Sequence, residues 1–125
     1  MFEVLSFKIR VGQYPNDVIE TEAILKVDVD GKTKNVVGEG NDVKDAFYQA
    51  LSKALLSTYP CLEKLKIVSY EVFVPKDNSF VAAVLIFSNG EERWGEIESS
   101  VNLNVCEAIL RALVKGLRTM IKKTG

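Results

Sequence analysis

The sequence contains no histidine. This removes the side chain most often used as a general base near neutral pH and the commonest metal ligand. No constellation of Asp, Glu, Lys, Tyr or Cys takes its place, so neither a catalytic site nor a bound metal or cofactor is expected. Cysteine is scarce as well. Cys61 and Cys106 stand far apart, without the paired spacing of a structural zinc site, and both read as reduced thiols of a cytoplasmic protein. Charge of one sign is lacking, since 16 Lys and Arg face 17 Asp and Glu. No long-range field therefore recruits nucleic acid or an anionic membrane. No apolar run approaches the ~18 residues that span a bilayer, and the opening FEVLSFKIR alternates instead of forming a signal-peptide core. What is present is a chain of 125 residues with 47% apolar content, enough for one core. It reads as a single domain over 1–125.

Within that domain the chain says the same thing twice. In VLSFKIRV, residues Leu5, Phe7, Ile9 and Val11 alternate with Ser6, Lys8 and Arg10, the period of a half-buried strand. AILKVDV follows with Ala23, Leu25, Val27 and Val29 on one face, then Asp30-Gly31 as a tight turn into KTKNVV. From residue 66 the order returns: KIVSYEVFV, the near-continuously apolar FVAAVLIF, Asn89-Gly90 as a hairpin turn, and EERWGEI. Each half ends in a helix, and DAFYQAL lies on EAILRAL when the halves are superposed. The expected fold is α+β, two βββα repeats over about 2–59 and 66–123, with antiparallel sheets and helices packed on them.

The helices differ in their apolar faces. Val43, Ala46, Phe47, Ala50, Leu51, Ala54 and Leu55 make one broad stripe on the first. The second has the matching stripe at Val105, Ala108, Ile109, Ala112, Leu113, Leu117 and Met120, and an adjoining one at Leu110, Val114 and Ile121. The adjoining stripe is either a widened core face or the contact of a homodimer. The basic tail of this helix, Lys115, Arg118, Lys122 and Lys123, suits the negative end of the helix dipole.

Both helix starts carry capping residues, Asp42 with Asp45 and Asn104 with Glu107. Capping accounts for these four but leaves Gly38 and Gly40, which let a backbone turn and approach another group closely. Amides at a helix start favour a carboxylate or phosphate. GEGND and VNLN, at equivalent places in a repeat, therefore form a candidate binding pair. Trp94 reads first as core or interface packing, and Tyr48 as a half-exposed residue that could line a pocket.

GEGNDVKDAFYQALSKAL and ERWGEI with NVCEAILRALVKGL resemble the two units of the C-terminal allosteric domain of 2-isopropylmalate and citramalate synthases. Gly38, Gly40, Asn41, Asp45, Ala46, Ala50 and Leu51 match the family's first pattern, approximately GxGNGPVDALxxAL. Trp94, Gly95, Asn104, Glu107, Ala108, Ala112 and Leu113 match its second, approximately WGTVGVSxNIIEASWxALVDSI. The resemblance implies a non-catalytic regulatory module. It would form a dimer and bind a branched-chain amino acid, leucine or isoleucine, for feedback inhibition of a synthase catalytic subunit.

It also implies ligand contacts from an adaptable loop and its partner: Gly38, Gly40, Asn41, Asp42, Val43 and Tyr48 in the first unit, and Val101, Asn102, Leu103 and Asn104 in the second. Two departures stand out. Asp42-Val43 replaces the family's Gly-Pro, and EIESSVNLN is longer than the corresponding family loop. Asp42 would either repel an effector carboxylate or hold its ammonium. Two other classes remain open: a structural dimerisation module without a working ligand site, and a double-stranded RNA-binding-like module. The latter lacks the basic start to its last helix, because Glu107 stands there.

Overall fold

The first hairpin turns on two residues. Asp30 (φ 50°) and Gly31 (φ 86°) both take positive φ between the paired Val29 and Lys32, the combination that matches the twist of the flanking strands. A computed structural model describes residues 1–13, 19–101 and 104–124, with Ile19 described for its backbone only. It separates into two units, Met1–Pro60 and Cys61–Gly125.

In the first unit β1 (Phe2–Gln13), β2 (Ile19–Val29) and β3 (Lys32–Gly40) form an antiparallel sheet in that order, followed by helix α1 (Val43–Leu55). In the second unit, after a 3-10 turn at Pro60–Lys64, β4 (Lys66–Phe73), β5 (Val81–Ser88) and β6 (Arg93–Ser100) form the second such sheet, followed by α2 (Val105–Thr124). The fold is the βββα arrangement, twice, that the repeat implied.

Strand pairing shows how closely the units repeat. Val27 pairs with Lys34, and Phe87 with Trp94; Thr21 pairs with Gly40, and Val81 with Ser100. The first strand of each unit carries a β-bulge at the same place, between Val4 and Ser6 and between Ile67 and Ser69. The bulge corrects the alternation expected for β1. Leu5 is the extra residue and is 48% exposed, so the helix-facing set is Phe2, Val4, Phe7 and Ile9, and Val11 is exposed. The second hairpin also differs from a tight turn. Four residues, Asn89 to Glu92, separate the paired Ser88 and Arg93, and the Asn89 Oδ1 closes the loop by accepting from the amides of Glu91 and Glu92.

Each sheet buries one face under its own helix. In the first unit Ala23, Leu25, Val27 and Val29 meet Ala46, Phe47, Ala50, Leu51, Ala54 and Leu55, all buried, and the Phe7 ring stands edge-on to Phe47 at 5.6 Å. In the second, Val81, Ala83, Leu85 and Phe87 play that part beside Ala108, Ile109, Ala112, Leu113, Leu117 and Met120. Charged groups fasten helices to edge strands. Lys34 Nζ donates to the Ala54 carbonyl at 3.0 Å, occupying a carbonyl in the last turn of α1, and Lys53 Nζ donates to the Val37 carbonyl at 2.7 Å.

Candidate functional site

The junction between β3 and α1 is built by close approach. Gly38 and Gly40 belong to the strand, not to an adaptable loop, and both face the helix. A Cβ on Gly38 would collide with the Ala46 carbonyl oxygen and the Ala50 amide nitrogen. One on Gly40 would lie 2.6 Å from the Asp45 Cβ and 2.8 Å from the Ala46 nitrogen. Glycine is needed here because the strand packs against helix backbone, a requirement not visible in the sequence, where GEG reads as flexibility. Only Asn41 and Asp42 remain as the connecting bend.

The helix start that follows is already partly satisfied. Asp42 Oδ1 accepts from the Asp45 amide at 2.8 Å, and the Asp42 carbonyl accepts from the Ala46 amide at 3.0 Å. Asp42 thus places its own carboxylate at the positive end of the α1 dipole. Val43 is half-buried on the apolar face. Tyr48 lies about 140° around the helix from Val43, half-buried, with burial pushing its hydroxyl above the ordinary tyrosine value.

The junction between β6 and α2 has a different chemistry. Asn104 caps the helix by accepting from the Glu107 amide at 3.0 Å, and its carbonyl accepts from the Ala108 amide at 3.2 Å. The cap is neutral, and the nearest acid, Glu107, is tied to Arg111 at 2.7 Å. Val101 is 79% exposed. Asn102 and Leu103, expected as ligand contacts, lie outside the described residues.

Nothing local in the sequence marks Ser100. It closes β6 in the place that Gly40 holds in β3; it is 2% exposed, and its Oγ has no hydrogen-bond partner among the described residues. Only its register against Gly40 could have singled it out.

Several other residues singled out in the sequence take definite places. Trp94 stacks on Phe87 (5.9 Å between centroids, 20° between planes) beneath Lys123, whose Nζ is 5.3 Å from the indole centroid. The basic residues of α2 do more than complement its dipole: Lys115 pairs with Glu98 at 3.2 Å and Lys123 with Glu92 at 2.7 Å, clamping the helix to the β6 side of its sheet. Leu110 and Val114, the proposed dimer stripe, are 6% and 9% exposed in the single chain, and Ile121 is half-buried.

A polar cleft of about 130 Å³ lies elsewhere, at the open end of the first sheet, lined by Arg10, Val11, Gly12, Glu20, Thr21, Glu22 and Glu39. Arg10 and Glu22 pair across it at 3.5 Å. No group of His, Cys, Asp or Glu among the described residues is arranged to hold a metal ion, and no described helix is long and apolar enough to cross a membrane.

Comparison with known proteins gives the chain a family. The family profile described as the LeuA allosteric (dimerisation) domain matches residues 1–121. The chain belongs to the LeuA allosteric (dimerisation) domain family. Among curated relatives of this LeuA domain, an (R)-citramalate synthase of Geobacter sulfurreducens is 32% identical over 98% of the chain and 24% of that protein. Another from Aquifex aeolicus is 31% identical over 90% of the chain and 22% of that protein. A third, from Synechocystis, is 35% identical over 76% of the chain and 18% of that protein. The LeuA domain therefore spans about a quarter or less of the curated relatives it matches.

Proposed function

We propose that this LeuA domain is a non-catalytic regulatory module of a citramalate or 2-isopropylmalate synthase. It forms a homodimer or associates with a synthase catalytic subunit in the cytoplasm, and it binds a branched-chain amino acid, leucine or isoleucine, for end-product feedback. The observation that carries this reading is the match of nearly the whole chain to an allosteric and dimerisation family whose curated relatives here are citramalate synthases.

Each junction has its own charge preference. The neutral cap of α2 leaves the dipole of a 20-residue helix uncompensated by any cap carboxylate, which favours an effector carboxylate near residues 102–105. At α1 the Asp42 carboxylate would repel that group and attract an ammonium. Val43 offers half-buried apolar surface at the start of α1, and Val101 exposed apolar surface after β6, for an effector side chain. Burying a Leu or Ile side chain contributes ~1.5–3 kcal/mol, and the charged ends must be hydrogen-bonded to offset their desolvation. Affinity on the order of micromolar, about 8 kcal/mol, is the expectation.

Titration calorimetry with leucine, isoleucine and valine tests the reading; no heat at millimolar ligand overturns it. A second reading, a dimerisation module without a ligand site, is favoured by one observation: Gly38 and Gly40 are accounted for by packing against α1 alone.

A further inference from the structure

The two sheets differ on the faces their helices leave uncovered. In the first unit that face is mostly charged. Glu22, Ile24, Lys26 and Asp28 lie on it along β2, with Lys8, Arg10 and Glu39 on the neighbouring strands and Val37 opposite Ile24. In the second unit the same face along β5 is Ala82, Val84 and Ile86, with Phe73 opposite Ala82 and Ile97 opposite Val84. Ile97 is 66% exposed, Phe73 56% and the bulged Val68 43%.

VAAVLIF is apolar on both sides, whereas a strand of an antiparallel sheet with one solvated face alternates apolar and polar residues. Helix α2 covers only one side. Phe73 stands where the first unit has Arg10, so the fold tolerates a charge there, and Ile97 stands where it has Val37, which is less exposed at 40%.

We propose that this outer face of the β4, β5 and β6 sheet is where two copies of the chain meet, with Val84, Ile86, Ile97 and Phe73 at the centre of the contact. The inference rests on the dimerising reading above and names the surface that carries it. Three observations favour a second copy as the occupant. The family to which the chain belongs is a dimerisation domain. The face measures about 14 Å by 26 Å from strand spacing and rise. With side-chain relief this is on the order of 500 Å² of accessible surface per copy, so a pair reaches the ~1,000 Å² at which specific interfaces begin.

The charges also fit one symmetry. Lys66 and Arg93 flank Ser88 in one row at one end of the face, and Glu71 lies beside Val84 further along. A two-fold axis running across the strands sets the Lys66 end of one copy against the Phe73 end of the other and carries Glu71 toward the opposing Lys66. An axis along the strands would stack cation on cation. The rival surface, the Leu110 and Val114 stripe, is already buried within the single chain.

Sedimentation velocity on the whole chain at micromolar concentration tests the proposal. Wild type should sediment as a dimer. Phe73→Lys with Ile97→Lys should raise the dimer dissociation constant at least ~100-fold, because each lysine would be buried without a partner, with the circular dichroism spectrum unchanged. Ile97→Ser, too mild to unfold an exposed strand position, should weaken the dimer by a smaller step. A wild-type monomer, or a double-lysine variant that dimerises like wild type, overturns the proposal. Calorimetry on the same samples keeps the two ideas apart: amino-acid binding with an unaltered double-lysine dimer would sink the interface and leave the regulatory reading standing.

Discussion

Gly116 and Phe87 interlock. A Cβ on Gly116 would lie 2.6 Å from the Phe87 Cε1 and closer still to Cζ and Cε2, so the ring edge occupies the notch that this helical glycine leaves in α2. At the corresponding places of the first unit stand Ala54 and Val27, a larger helix residue opposite a smaller strand residue. The two units thus fill the same interlayer space by exchanging volume between sheet and helix.

Gly116→Ala should therefore cost stability although alanine is the better helix former by ~1 kcal/mol. Overpacking against the ring is worth about 1–3 kcal/mol, and the net change should be destabilising in urea unfolding. Adding Phe87→Val, which gives the second unit the first unit's pair, should recover more than the sum of the single changes allows. Strict additivity would show that the ring is not seated on Gly116.

Gly38→Ala should be far more damaging than Gly31→Ala. The methyl group at 38 meets backbone of α1, which cannot yield without moving the helix, so a loss of at least about 3 kcal/mol is expected by analogy with severe core overpacking. At Gly31 there is open space, and only the positive φ opposes the change, at roughly 1 kcal/mol. Thermal unfolding of both variants separates these cases; similar midpoints would remove the close-approach explanation.

Asp42→Asn and Asn104→Asp exchange the charge character of the two helix caps while keeping a capping oxygen, so folding stability should change by less than about 0.5 kcal/mol. Their effects on amino-acid affinity should both be losses. Asp42→Asn removes the carboxylate proposed for the ammonium, and Asn104→Asp introduces repulsion where the effector carboxylate is proposed. Tighter binding by Asp42→Asn would reverse the role assigned to Asp42.

Cys106 should be slow to alkylate. Burial pushes its thiol above the ordinary value, outweighing a hydrogen bond that favours the thiolate, so at pH 8 its thiolate fraction is reduced and iodoacetamide should react more slowly than with an unfolded control. Labelling at the unfolded rate would mean that the first turn of α2 opens readily.

The sequence by itself determined the features that arise within a few residues or from a regular period. The Asp30-Gly31 turn, both helix caps and the apolar faces of α1 and α2 depend on local dihedrals, side-chain reach and the 3.6-residue repeat. The family resemblance followed from the same motifs, because strand, glycine and cap occur in order.

Tertiary structure alone decided what depends on a partner distant in the chain. The bulges at Leu5 and Val68 arise from pairing with β2 and β5, and they shift which residues face the helix without leaving a mark in composition. Gly38 and Gly40 looked like a mobile approach to a ligand, whereas the space above them is filled by α1 backbone. The apolar outer face of β5 shows its meaning only once α2 has been placed on the opposite side. Periodicity can say that a strand is apolar on both faces, but not which face its own chain covers.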